Sequence, residues 1–169
     1  MLAFGLDRPA PPVIRTTPNH VLASRAFPGG RAHLKSYAIA YLATALVFIG
    51  LDAIWLTVMA QRIYRPLIGD MLLDGFRIYP AVLFYLVYIC AVVFFAIVPA
   101  LATGRWITAM SHGALLGLVA YATYDLTNQA TLRNWPVTVT IADLCWGTFV
   151  TGVAATAGFM ITRAVTRVT

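Results

Sequence analysis

The sequence predicts an all-α integral membrane protein, a four-helix transmembrane bundle with a short amphipathic helix between spans one and two. Three observations predict it. Of 169 residues, 60% are apolar and only 11% charged, against about 25% charged in soluble globular domains. The apolar residues fall into four runs, each long enough for the roughly 20 residues that a bilayer core demands. The eleven Arg, one Lys and six Asp sit mostly in the N-terminal stretch, the connections between runs and the C-terminus, and Glu is absent.

The chain divides at residue 33. Residues 1–33 are polar, basic and Pro-rich, with Arg8, Arg15, Arg25, Arg31 and the segments Pro9-Ala10-Pro11-Pro12 and Pro28-Gly29-Gly30. They lack the apolar core and small-residue cleavage site of a secretory signal. They read as a flexible cytoplasmic tail facing anionic lipid. Residues 34–169 form the four-span domain.

The first span covers about 37–59. Tyr37, Tyr41, Thr44, Phe48, Asp52 and Trp55 recur at steps of three and four and share one helical face. Residues 60–77 carry Arg62, Arg65, Asp70, Asp74 and Arg77. Pro66 suits a first helical turn and Gly75 a stop. Leu67, Ile68, Met71 and Leu72 gather on one side, which predicts an amphipathic helix on the membrane surface. The second span, about 78–101, is uncharged, and its aromatic residues read as packing or lipid contacts.

The third span, about 107–127, follows Gly104-Arg105-Trp106. Gly113, Gly117, Tyr121 and Asp125 are four apart, a stripe of small residues that admits a neighbouring backbone. His112 reads as a satisfied structural histidine. After the connection 128–137, where Trp135 is an interfacial aromatic and Pro136 opens a helix, the fourth span runs to about 161. Thr140, Asp143, Trp146 and Gly147 share its face. The pattern Asp-x-x-Trp occurs at Asp52 to Trp55 and again at Asp143 to Trp146.

Four spans return both termini to one side. The basic residues divide eight to four, with Arg65 and Arg133 among the minority, which predicts cytoplasmic termini in a bacterial inner membrane. Asp52, late in an outgoing span, Asp143, early in a returning one, and Asp125, at the end of the third, then fall in the outer half of the bilayer. At about 1.5 Å rise per residue, Asp52 and Asp143 lie roughly 8–10 Å below the boundary and Asp125 within a turn of it. A carboxylate at such depth is costly unless it is buried and compensated, which marks a functional site. Arg65 and Arg133 are the expected compensating cations.

The candidate ligand-binding residues are Asp52, Trp55, Tyr124, Asp125, Asn128, Trp135, Asp143 and Trp146. Three functions fit them. The first is a site for a small or lipid-like ligand, or for passage of protons or ions. The second is an intramembrane lipid-modifying enzyme with an Asp as general base. The third is a structural or assembly subunit whose acids fix helix register. His20, His33 and His112 are too scattered for an iron-binding box. Cys90 and Cys145 lack metal or redox spacing and read as small buried hydrophobes. No phosphate loop, dinucleotide fingerprint or hydrolase elbow occurs, so no cofactor or metal site is assigned. The net charge of +6 belongs to the membrane-facing connections rather than to nucleic acid. The expected partners are membrane lipids, with a second copy or a membrane complex needed if the bundle is to enclose a path.

Asp52 to Trp55, Tyr124-Asp125-x-Thr127-Asn128, Trp135-Pro136 and Asp143-x-x-Trp146-Gly147 together resemble the bacterial membrane proteins of domain of unknown function 2177. The likeness covers residue 37 to the C-terminus, most specifically the third and fourth spans, and leaves out the N-terminal tail. It implies an inner-membrane location and no established reaction. The frequent proximity of genes for similar proteins to photolyase-like and fatty-acid-modifying genes implies a lipid-related role.

Overall fold

The structure, a computed structural model, describes residues 30–73 and 75–168, with side chains from residue 33 to 166. The expected tail therefore falls outside the described residues up to residue 29. The described chain is helical: α1 Gly30–Met59, α2 Arg65–Ile68, α3 Ile78–Val92, α4 Val98–Thr103, α5 Trp106–Thr131 and α6 Val137–Val168. A π-helical turn, Ala60–Tyr64, joins α1 to α2, and a 3-10 turn, Gly69–Met71, follows. A second π-helical turn, Val93–Ile97, joins α3 to α4. Four long rods result: α1 with α2, α3 with α4, α5, and α6.

Three stretches, His33–Met71, Ile78–Thr103 and Val137–Thr166, are long and apolar enough to cross a membrane. The third expected span is present as the 26-residue helix α5. Ser111, His112, Thr123, Asp125 and Asn128 make it less apolar than the other three.

Both π-helical turns end two residues before a proline, Pro66 or Pro99. Proline has no N–H for the carbonyl four residues back, and its ring crowds that carbonyl, so the helix widens locally. In the second rod the carbonyl four residues before Pro99 is that of Phe95. His112 Nδ1 lies 3.1 Å from it, and with a carbonyl as acceptor the ring proton sits on Nδ1. His112 thus ties α5 to the widened turn.

The stretch 60–77 departs in detail from one amphipathic helix. Pro66 stands in the first turn of α2, but that helix is four residues long and continues α1 through the π-helical turn. Ile68 is buried there, whereas Leu67, Met71 and Leu72 are exposed. The proline that was to open a separate helix instead perturbs an existing one.

α5 and α6 are antiparallel neighbours packed through small residues. A Cβ on Gly113 would stand 2.8 Å from the Ala155 Cβ and 2.9 Å from the Thr151 carbonyl, and one on Gly117 would strike the Gly147 carbonyl. Gly104 ends α4 at φ 69°, the left-handed conformation that glycine adopts without a Cβ penalty. Asn134, at φ 61°, makes the turn into α6. The core is formed by Phe48, Ile89, Val92, Ile97, Val150 and Phe159. Cys90 and Cys145 depart from the expected burial: both are exposed, because each lies on the face of its helix turned away from this core.

Candidate functional site

α1 and α6 also run antiparallel, so Gly158 packs on Thr44 while Trp146 meets Asp52 and Trp55. Asp52, 6% exposed, is satisfied on both oxygens. Its Oδ1 accepts from Trp146 Nε1 at 3.0 Å, and its Oδ2 accepts from the Tyr85 hydroxyl at 2.7 Å. Asp143, 8% exposed, accepts at Oδ1 from the Tyr64 hydroxyl, whose oxygen accepts from Trp55 Nε1 at 2.9 Å. The Trp55 and Trp146 rings stack, with centroids 4.4 Å apart and planes 6° from parallel.

The two Asp-x-x-Trp segments are therefore interlocked. Trp146 serves the acid of α1 directly, and Trp55 serves the acid of α6 through Tyr64. A tryptophan three residues from its own acid stands one turn along the same face. Antiparallel packing then presents each indole to the other helix's carboxylate. A hydrogen bond contributes about 0.5–1.5 kcal/mol, so this web also fastens α1, α3 and α6 together.

Among the described residues, every donor to these carboxylates is a neutral phenol or indole. Among the described residues, neither Arg65 nor Arg133 forms an ion pair with them, which corrects the expected compensation by loop cations. The indole and phenol donors come from the rods themselves and reach a buried acid without carrying a hydrated charge inward.

Asp125 is the exception. It is fully buried, and neither of its oxygens has a hydrogen-bond partner among the described residues. It does not line the cleft described below. Trp135 donates from Nε1 to Thr140 Oγ1 at 3.0 Å, and its ring meets Tyr124 edge-on at 5.9 Å. Asn128 is half-buried and also stands outside the cleft lining.

Beside the Asp/Trp/Tyr web lies a cleft of about 970 Å³. Asp52, Trp55, Tyr124, Trp135, Asp143 and Trp146 all reach it, and the segment between α1 and α3 contributes Ile68, Met71, Leu72 and Phe76 together with Arg65 and Arg77. Its lining thus combines acids and aromatic rings with apolar side chains and two arginines. Among the described residues no group of three or more His, Cys, Asp or Glu could hold a metal ion.

Sequence reasoning missed Tyr64, Tyr85 and Tyr121 as members of the site. Tyr85 was indistinguishable from its aromatic neighbours in the second span. The Tyr121 ring lies so close over Gly147 that a Cβ there would run into it. Its place in the stripe with Gly117 and Asp125 was the available signal. Tyr64 is nine residues from Trp55, and an unbroken α-helix would put it on the opposite face. The π-helical turn takes back part of that rotation.

Fold and site together define a helical membrane protein with an acid and aromatic web beside a largely apolar cleft. The chain belongs to the family described as "Predicted membrane protein (DUF2177)", which it matches over residues 37–160. No curated protein and no solved structure matches it.

Proposed function

We propose that this chain is a four-span protein of the bacterial inner membrane, with both termini cytoplasmic, which binds a lipid-like ligand in the cleft beside Asp52 and Asp143. One observation carries the reading: a cleft of about 970 Å³ with a mostly apolar lining that the side chains of Asp52, Asp143 and a few other polar residues also reach. Sites for small molecules typically measure about 300–1,000 Å³ and have this character. α5 serves as the third span in chain order and brings the number to four. Its buried residues Gly113, Gly117 and Asp125 face the bundle, while Leu115, Leu118, Val119 and Leu126 are exposed as a lipid-facing surface requires. The segment 60–77 lies at the membrane surface and closes one side of the cleft.

The test uses the full chain, purified and stripped of lipid in a mild detergent. Hexadecanol and palmitate are titrated while retained ligand is read by native mass spectrometry and unfolding temperature by circular dichroism. One equivalent of ligand is expected, with stabilisation of about 2.7 kcal/mol at a hundredfold excess over Kd. Leu72→Trp, which adds an indole to the wall of the cleft, is expected to weaken both effects. Failure of both probes to bind the parent chain, or undiminished binding by Leu72→Trp, would refute the reading.

A further inference from the structure

The wall of the cleft that lies between α1 and α3 carries Arg65 and Arg77. Both are exposed, and neither forms an ion pair among the described residues. The carboxylates of the same cleft do not draw them in. Asp52 is engaged on both oxygens by Tyr85 and Trp146, and Asp143 is engaged by Tyr64. Arg77 is also the N-cap residue of α3, a 15-residue helix with no side-chain cap and no acid in its first turn. Arg77 thus immediately precedes the positive end of that helix. Two guanidinium-bearing residues therefore line a largely apolar cleft.

We infer that the ligand of this cleft is an anionic amphiphile. Arg65 and Arg77 hold its phosphate or carboxylate head group, and its hydrocarbon lies against Ile68, Met71, Leu72 and Phe76. Guanidinium groups match both head groups bidentately. A cationic amphiphile would bring like charge against them. The inference rests on the cleft being a ligand site, as proposed above.

The test titrates four probes of equal chain length into the stripped full chain: hexadecyl phosphate, palmitate, hexadecanol and hexadecyltrimethylammonium. The variants are Arg65→Gln, Arg77→Gln, the double variant, and Arg62→Gln as a control at an exposed position outside the cleft. Both anions are expected to bind the parent about tenfold or more tightly than hexadecanol. Each single variant should lose part of that preference and the double variant all of it, with hexadecanol affinity unchanged and Arg62→Gln like the parent. Unchanged hexadecanol affinity also shows that the double variant is folded. Preference for hexadecyl phosphate over palmitate assigns a phospholipid, and the reverse a free fatty acid. Equal affinity of the parent for anions and alcohol, or preference for the cation, overturns the head-group assignment and leaves the cleft as a ligand site. Failure of all four probes overturns both.

Discussion

Adding one methyl group at Gly117 should drive α5 and α6 apart, and its cost can be worked from contacts. An alanine Cβ there would strike the Gly147 carbonyl and stand 2.7 Å from Thr151 Oγ1, whereas ordinary contact begins at 3.4 Å. Neither neighbour yields easily. The carbonyl is helix backbone, and Thr151 Oγ1 lies 2.9 Å from the Tyr88 hydroxyl in a buried hydrogen bond. Relief therefore requires movement of a whole helix, an overpacking cost of about 1–3 kcal/mol. Against it, replacing a mid-helix glycine by alanine gains about 0.5–1 kcal/mol. Gly50→Ala supplies the control, since a Cβ at Gly50 meets nothing within 4 Å and only the gain applies. The difference between the two variants thus isolates the clash. At about 2–4 °C per kcal/mol for a chain of this size, Gly117→Ala should unfold about 2–12 °C below Gly50→Ala. Thermal unfolding in one detergent, followed by the helical circular dichroism signal, measures it. Equal unfolding temperatures would refute the account of this interface.

Asparagine at the two acids should act in opposite directions. Asp52→Asn replaces one of two acceptor oxygens facing Tyr85 and Trp146 by a donor and should destabilise by about 1–3 kcal/mol. Asp125→Asn removes a buried carboxyl group with no hydrogen-bond partner among the described residues, so unfolding in the same detergent should be unchanged or shifted upward. A larger loss at Asp125 than at Asp52 would overturn this ordering. For topology, reporter fusions after Thr169 and within residues 129–134 should report opposite sides, with the C-terminal one cytoplasmic; an external C-terminus would reverse the orientation.

Chain order, helix length and side-chain period alone determined that this is a helical membrane protein. The runs beginning at Ile78 and Val137 are legible because lipid leaves every backbone group in a span to be satisfied internally, which ties helix limits to apolar limits. The level shared by Asp52 and Asp143 was legible too, since it follows from alternating spans and a fixed rise. The stripe of Gly113, Gly117 and Asp125 identified the buried face of α5, because small residues four apart have a packing meaning before any partner is known.

What only the tertiary structure decided is which groups meet across helices. Periodicity reports the face of one helix and is silent about the residue opposite. The exchange of indoles between the two Asp-x-x-Trp segments, the Tyr85 hydroxyl on Asp52 and the lack of a hydrogen-bond partner for Asp125 among the described residues therefore left no mark in the sequence pattern. The π-helical turn before Pro66 changed the phase of the first rod, and that brought Tyr64 to Asp143 and carried the chain past Arg65 to form one wall of the cleft. A local rotation of this kind alters every contact beyond it. Its extent is fixed by the packing of the rods against one another, which is why the acids could be placed from the sequence and the cleft beside them could not.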